Sequence, residues 1–330
     1  MSSQARQNQT FILPDGRQLG YAEYGDHDGT PLLYFHGFPA CRLEAYAVDD
    51  IARRRKIRLL SLDRPGFGLS TPQPNRSILD WPTDVSNFAK GMQLSRFAVM
   101  GLSGGGPYAL ACAYALPQES LIGVGLFASG PPWIAGAHHN SRYRRLVSSM
   151  AKYWPGGLRL FFGGLVGFSK WLANTGPIAR TIDRWLELED EKKEVEDQGS
   201  KQETATTPTS KKTTSERRLD LVHALLEEPF AQGSRAAVDE ARLLSSTDWG
   251  FSLGDVGYNT VRIWHGAEDK NAPVSMIHYM VRKLPHCVYH EFKDDTHYTM
   301  FKHLEGAIAE IILEKNVEDR TTLDEGTERR

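Results

Sequence analysis

The sequence predicts an α/β fold in which a mostly parallel sheet is flanked by helices and interrupted by one helical insertion. Short apolar runs alternate with helical patterns along much of the chain. Several of these runs consist of Val, Ile, Leu and Phe without polar alternation, which indicates strands covered on both faces, as in a parallel sheet. The alternation stops between about Pro131 and Ser246, where irregular, aromatic-rich helical patterns take over.

Each predicted element follows from its local pattern. Strands are predicted where a short apolar run is bounded by turn-forming residues, and helices where apolar residues recur every three or four positions. The predicted strands are residues 18–24, 31–35, 57–62, 97–100, 121–127, 260–265 and 288–292. The predicted helices are residues 43–55, 81–93, 107–116, 275–284 and 301–314.

The domain organisation follows from the break in the pattern. Residues 1–130 and 246–330 are expected to form one core, and residues 131–245 a helical lid inserted at the carboxyl edge of the sheet. Residues 187–218 contain almost no large apolar side chains, so we expect them to be disordered, because they cannot offset the cost of ordering. The tail, residues 316–330, carries the same expectation. A binding role is the alternative for both segments.

The composition limits the classes of partner. With 330 residues, 40% hydrophobic content and a net charge of −2, the chain can form one large core and lacks a general field that attracts nucleic acid or an anionic membrane. No apolar run reaches the ~18 residues of a spanning helix, and the first ten residues do not resemble a signal peptide. Cys41, Cys112 and Cys287 are scattered and odd in number. These features predict a reduced, cytoplasmic protein without disulfides or a transmembrane segment.

Two questions about association remain open at this stage. Residues 158–173 (LRLFFGGLVGFSKWLA) are apolar enough to suggest peripheral membrane attachment, but they carry two basic residues, and this contact is not the favoured interpretation. The sequence does not determine the oligomeric state.

A serine between glycines is the first candidate for chemistry. In VMGLSGGGPYAL, residues 99–110, Gly101, Ser103 and Gly105 have the G-x-S-x-G spacing. A predicted strand leads in and a predicted helix leads out, as in a nucleophile elbow, where a strained turn exposes the serine hydroxyl. A tight turn that needs only small residues is the alternative. A serine hydroxyl is a poor nucleophile without a base and an orienting acid, so the motif predicts both.

Asp269 and His297 are the candidates for the acid and the base. Asp269 lies in HGAEDKNAP just after one predicted strand, and His297 lies in FKDDTHYTM after the last one. The order Ser, acid, His is that of elbow-type enzymes. Glu268 is an alternative acid. His290 and His303 are weaker candidates for the base, because one falls inside a strand and the other on a helix.

The loop YFHGFPA provides the candidate oxyanion hole. It directly follows the predicted strand at residues 31–35, and its glycine allows the backbone to approach the serine. The backbone N–H groups of Phe38 and Gly104 are therefore the predicted donors to the oxyanion of a tetrahedral intermediate. His36 in the same loop is interpreted as structural.

Five motifs together resemble the α/β-hydrolase superfamily. They are HGFP (residues 36–39), DRPGFGLS (63–70), GLSGGG (101–106), HGAEDKNAP (265–273) and DDTH (294–297). The resemblance implies an eight-stranded, mostly parallel sheet with an inserted helical lid, no cofactor and no metal. It also implies that Ser103 is the nucleophile, Asp269 the acid and His297 the base, with Phe38 and Gly104 as oxyanion donors. Relatives that open epoxides or remove halides carry Asp at the elbow, so the serine here indicates acyl transfer.

These features lead to one main functional hypothesis and two alternatives. The main one is a serine hydrolase that cleaves a carboxylic ester or related acyl bond of a small molecule through an acyl-enzyme. The aromatic residues of the insertion suggest an apolar or aromatic substrate. A C–C bond, thioester or lactone hydrolase is the alternative within the fold. A non-catalytic small-molecule sensor is the alternative from another class.

Overall fold

The strands form one mixed sheet. The computed structural model describes residues 6–199 and 213–312, and within them the sheet has eight strands in the order β1-β2-β4-β3-β5-β6-β7-β8. In chain order these are β1 (Gln9–Ile12), β2 (Gln18–Gly25), β3 (Thr30–Phe35), β4 (Ile57–Leu62), β5 (Phe97–Leu102), β6 (Leu121–Phe127), β7 (Val261–Gly266) and β8 (Cys287–Phe292). Strand β2 pairs antiparallel with β1 and β4, and all other pairs are parallel. The predicted fold class is confirmed.

The sequence analysis missed one strand. The other strands begin and end within two residues of their predicted positions. Strand β1 is only four residues long, lies at the edge of the sheet, and alternates between partly buried and fully exposed positions. No residue of this strand is fully buried, and the segment QTFI lacks the apolar run that marks the central strands. The strand therefore has no apolar signal in the sequence.

Helices cover both faces of the sheet. They are α1 (Asp49–Arg54), α2 (Trp81–Gly91), α3 (Gly106–Ala115), α4 (Arg142–Tyr153), α5 (Pro155–Ala173), α6 (Gly176–Gly199), α7 (Thr214–Val222), α8 (Arg235–Leu244), α9 (Val274–Lys283) and α10 (residues 304–312). One apolar core joins the sheet to α2, α3 and α9, and a second joins its other face to α1 and α10. No helix in residues 6–199 or 213–312 combines the length and apolar character that a membrane span requires.

Helices α4 to α8 all lie between β6 and β7 in the chain, where the strand pattern fails. The structure describes part of the segment 187–218, for which disorder remains a prediction. Helix α6 continues to Gly199, and α7 begins directly after Thr213, whose side chain forms a capping box with Glu216. Glu, Lys and Gln are good helix formers even without an apolar face, and a capping box stabilises a helix start. Residues 200–212 and the tail 316–330 lie outside the described residues.

A buried ionic cluster connects α8 to the sheet side of the molecule. Glu240 on α8 accepts hydrogen bonds from Arg64 Nε and from the Tyr108 hydroxyl, both at 2.8 Å, and from the Arg76 guanidinium. All four side chains are buried. Burial raises the pKa of Glu240, but the charges of Arg64 and Arg76 outweigh it, so the pKa lies below its ordinary value. The carboxylate therefore stays ionised inside the protein.

The same cluster holds the loop that follows β3. Arg64 donates from Nη2 to the Gly37 carbonyl at 2.8 Å and from Nη1 to the His36 carbonyl. The His36 ring is buried. Its Nε2 accepts the backbone N–H of Arg64 at 3.2 Å, and its Nδ1 donates to the Gly37 carbonyl at 2.8 Å. Burial keeps the pKa of His36 well below its usual value, so the ring is neutral. The helices of the insertion are thus connected through Glu240 and Arg64 to the HGFP loop.

Replacing Glu240 with Gln keeps the side-chain shape but leaves two buried guanidinium groups without a counter-charge. We expect Glu240→Gln to lower the free energy of unfolding by about 3–5 kcal/mol at pH 7, as measured by urea denaturation. The matched control is Asp239→Asn on the same helix, because Asp239 forms only a long, 3.9 Å pair with Arg235. That variant should change the free energy by less than about 0.5 kcal/mol.

The effect of Glu240→Gln should also depend on pH. The pKa of Glu240 is lower in the folded protein than its ordinary value of 4.5, so its stabilisation is complete above about pH 4.5. That stabilisation is lost as the pH falls through the folded-state pKa. The difference in unfolding free energy between wild type and variant should therefore be constant from pH 7 to 5 and shrink at lower pH. A difference that stays constant below pH 4 contradicts the assigned charge state.

Candidate active site

Ser103 lies on a strained turn between β5 and α3. Its φ angle is +48°, in the left-handed region that residues with a side chain rarely adopt. The flanking glycines are required by close contacts. A Cβ at Gly101 would lie 2.3 Å from the Gly105 carbonyl oxygen, and a Cβ at Gly105 would lie 2.1 Å from the Phe35 carbonyl oxygen. The G-x-S-x-G spacing therefore allows a turn in which strand and helix approach closely on both sides of the serine.

Asp269 and His297 are joined by a short hydrogen bond. The distance between His297 Nδ1 and Asp269 Oδ2 is 2.6 Å, and the two residues come from the loops after β7 and β8. The other carboxylate oxygen, Oδ1, accepts the backbone N–H groups of Asn271 and Ala272, both at 2.7 Å. Asp269 is buried, whereas His297 is only partly buried. The carboxylate thus holds the imidazole through Nδ1. The other ring nitrogen, Nε2, does not contact the carboxylate.

The surroundings of Asp269 keep it ionised. Burial raises its pKa, but the hydrogen bond from His297, the nearby charges of His297 and His265, and the backbone N–H of Ala272 outweigh this effect. The pKa of Asp269 therefore lies below its usual value. His265 Nε2 donates to the Ala272 carbonyl at 2.8 Å, which connects the two ends of the loop that carries Asp269. An ionised carboxylate is what holds an imidazole in a single orientation and tautomer.

The alternative acid and bases are engaged elsewhere. Glu268 is exposed and does not pair with His297. His290 Nε2 lies 3.1 Å from Glu310 Oε1, and His303 Nε2 lies 2.7 Å from Asp295 Oδ2. The structure therefore brings His297 to Asp269 and leaves the weaker candidates with partners of their own.

The HGFP loop packs directly against the turn at Ser103. A Cβ added at Gly104 would lie 3.3 Å from the Phe38 backbone nitrogen, so the two predicted oxyanion donors are neighbours. Gly104 lies in the first turn of a helical segment, where backbone N–H groups have no partner within the helix. The backbone nitrogen of Gly37 donates to Glu44 Oε2 at 2.8 Å. The loop is thus held by Glu44 at an N–H group and by Arg64 at two carbonyls.

The sequence analysis missed Glu44, because no motif marks it. Its carboxyl also accepts the Tyr34 hydroxyl at 3.1 Å. A Cβ added at Gly37 would lie 3.0 Å from Glu44 Oε1 and 3.6 Å from Ser103 Cβ, which places this carboxyl beside the turn. Burial raises the pKa of Glu44, although its hydrogen bonds and the charges of Arg64 and His297 oppose this. The site thus contains two carboxyl groups whose pKa values are shifted in opposite directions: the pKa of Glu44 is raised and that of Asp269 is lowered.

A cavity of about 1470 Å³ lies above the carboxyl edge of the sheet. Its sheet-side wall includes Phe38, Ser103, Gly104 and His297. Within the described residues the Ser103 hydroxyl forms no hydrogen bond, so serine and imidazole share the cavity without a direct bond in this structure. Catalytic hydrogen bonds are often loose before a substrate binds.

Side chains from the insertion form the opposite wall of the cavity. Most are apolar, and they include Val147, Phe162, Leu165, Leu186, Leu221 and Leu244. Four aromatic residues of the insertion line the cavity: Trp133, Tyr143, Phe162 and Phe230. The others are exposed on the outer surface: Tyr153, Trp154, Phe161, Phe168, Trp171 and Trp185. The aromatic residues of the insertion therefore contribute in part to the cavity wall.

The groups around the cavity are those that acyl transfer uses. They are a hydroxyl on a strained turn, an imidazole held by an ionised carboxylate, and backbone N–H groups beside the hydroxyl. In the part of the chain that the structure describes, no group of three or more His, Cys, Asp or Glu side chains is arranged to hold a metal ion.

Several solved structures share the fold at low sequence identity. An esterase from Exiguobacterium antarcticum superposes with a TM-score of 0.60 at 14% identity, covering 93% of this chain and 99% of its own. An enol-lactonase from Burkholderia xenovorans LB400 gives the same TM-score and identity, with coverage of 93% and 100%. At these identities the similarity shows a shared fold.

Sequence comparisons give a curated relative and a family. A proline iminopeptidase from Xylella fastidiosa (strain 9a5c) is 30% identical over 126 residues, which is 36% of this chain and 39% of that protein. The match thus spans well under two thirds of the relative's length. A model of the alpha/beta hydrolase family matches residues 32–310, from β3 to α10, and so includes every candidate site residue. The chain belongs to the alpha/beta hydrolase family.

Proposed function

We propose that the protein is a serine hydrolase that cleaves a carboxylic ester, or a related acyl bond, of a small molecule. The observation that carries this proposal is the 2.6 Å bond between His297 and Asp269 on the cavity that Ser103 also lines. Family membership and the esterase among the structures of similar fold are consistent with it. The mainly apolar wall favours a substrate with an apolar portion.

In the proposed mechanism, Ser103 Oγ attacks the acyl carbon and its proton passes to His297 Nε2. Asp269 stabilises the imidazolium that forms, and the N–H groups of Phe38 and Gly104 bind the oxyanion. The carbon–oxygen bond to the alcohol then breaks, and His297 returns the proton to the departing oxygen. Water attacks the acyl-enzyme in the second half-reaction, with His297 again accepting and returning a proton. The products are a carboxylic acid and an alcohol.

Removing the proposed nucleophile tests this mechanism. We expect Ser103→Ala to lower kcat/KM for 4-nitrophenyl butyrate by at least about 1000-fold, because no other side chain forms the acyl-enzyme. Ser120→Ala is the matched control, since Ser120 directly precedes β6 at the opposite edge of the sheet, and it should keep wild-type activity. A fluorophosphonate probe should label wild type and Ser120→Ala but not Ser103→Ala. Equal hydrolysis by wild type and Ser103→Ala contradicts the assignment, and an unlabelled wild type favours the sensor hypothesis.

Asp269→Asn tests the orienting carboxylate. The backbone N–H groups of Asn271 and Ala272 hold the amide oxygen at the Oδ1 position, so the amide NH2 faces His297 Nδ1 and selects the wrong tautomer. We expect kcat to fall by about 10³- to 10⁴-fold. Glu268→Gln changes the neighbouring exposed carboxylate and should alter kcat less than about twofold. Comparable losses in the two variants would show that Asp269 has no special role.

A second candidate function is the release of an amino-terminal proline from a peptide. The observation that favours it is the 30% identity over 126 residues to a proline iminopeptidase. The proposed serine mechanism also applies to an amide, with nitrogen instead of oxygen in the leaving group. Parallel assays with L-proline 4-nitroanilide and 4-nitrophenyl butyrate separate the two candidates. Substrates with a thioester or a lactone ring extend the same panel to the remaining acyl compounds.

A further inference from the structure

One arginine at the cavity has no anionic partner among the described residues. Arg144 lies in the first turn of α4, is partly buried, and lines the same cavity as Ser103 and His297. Its backbone N–H bonds to the Ser141 side chain at the start of the helix. Its guanidinium forms no hydrogen bond or ion pair with any residue in the ranges 6–199 and 213–312.

Other arginines that leave solvent are paired with carboxylates. Arg42 pairs with Asp63 at 2.9 Å and Glu228 at 2.6 Å, and Arg17 pairs with Asp84. Arg64 and Arg76 share Glu240, as described above. The pattern follows from the cost of removing a charge from water without an opposite charge nearby. Arg144 departs from this pattern within the part of the chain that the structure describes.

Arg144 lines the cavity of the candidate triad and interacts with the charge of Asp269. Burial lowers the pKa of the Arg144 guanidinium, and the charge of Asp269 opposes that effect, so the two groups interact through space. Asp269 does not provide a direct partner, because its oxygens already accept bonds from His297, Asn271 and Ala272. A guanidinium remains protonated even when partly buried, and its planar donors match a carboxylate.

We propose that Arg144 binds a carboxylate of the substrate, so that the preferred substrates are esters that carry a free carboxylate group. This inference rests on the proposed function and adds the substrate class to it. The substrate carboxylate supplies the counter-charge for Arg144 beneath α4, while the ester carbonyl lies at Ser103. A cation at this position also disfavours substrates whose protonated amine would lie nearby, as in a peptide with a free amino terminus.

Two pairs of substrates differ only by a carboxylate in place of a methyl group. Mono-4-nitrophenyl glutarate and 4-nitrophenyl valerate differ in the acyl part, and 4-acetoxybenzoate and 4-tolyl acetate differ in the alcohol part. For each pair the measured quantity is the ratio of kcat/KM for the anionic ester to that for the neutral ester. The ratio cancels any general loss of activity that a substitution causes.

In at least one pair, Arg144→Gln should lower this ratio by about 10- to 100-fold, mainly through KM for the anionic ester. Arg144→Lys should retain part of the preference, because it keeps the charge but not the planar donors. Arg142→Gln and Arg145→Gln are the matched controls, because both residues are exposed on the same helix, and they should keep the wild-type ratio.

A ratio that is unchanged in both pairs for Arg144→Gln overturns the proposal, even if the overall activity falls. Direct binding separates this failure from a failure of the proposed function. Isothermal titration calorimetry with monomethyl glutarate in the Ser103→Ala background avoids hydrolysis of this ester, and Ser103→Ala should bind it at least about tenfold more tightly than the double variant Ser103→Ala/Arg144→Gln. Equal affinities overturn the proposal. Binding that depends on Arg144 in a protein that hydrolyses no ester would instead support the carboxylate site and contradict the hydrolase.

Discussion

The candidate site depends on the parallel alignment of the central strands. Phe35 of β3 pairs with Gly101 of β5, and Phe127 of β6 pairs with Trp264 of β7, so the carboxyl ends of these strands lie along one edge. The HGFP loop, the serine turn and the loop of Asp269 all leave the sheet from that edge. Residues separated by more than 200 positions in the chain are thereby placed on one cavity. Ligand sites in α/β sheets generally form at this edge.

The buried charges explain how a loop rich in glycine and proline can stay in one place. Arg64 donates to two carbonyls of the HGFP loop, and Glu44 accepts one of its N–H groups. Each of these side chains would be costly to bury alone, and Glu240 and Tyr34 complete their hydrogen bonding. The loop therefore does not rely on apolar packing alone. The same network makes its position depend on α8, a helix of the insertion.

The environments of the two carboxyls at the site differ in hydrogen bonding. Asp269 accepts one imidazole and two backbone N–H groups, which keep its pKa low in spite of burial. Burial dominates at Glu44, where the pKa is raised. Among the described residues the Arg144 guanidinium has no ion pair, and it lies at a mostly apolar cavity, where charges interact more strongly than in water. In the proposed carboxylate site, Arg144 selects substrates by charge in addition to their shape.

Local signals in the sequence were sufficient for the fold class and for nominating Ser103, Asp269, His297, Phe38 and Gly104, because strand patterns, turn glycines and motif order are read along the chain. The edge strand β1 and the charged end of α6 were not predicted as elements, since neither has an apolar pattern. Pairing between distant residues was decided only by the tertiary structure. The contact of Arg64 with Glu240 spans 176 positions, and whether the Arg144 guanidinium has a partner among the described residues depends on how distant parts of the chain fold together. The physical reason is that the energy of a buried charge depends on what surrounds it in space, which a linear pattern does not record.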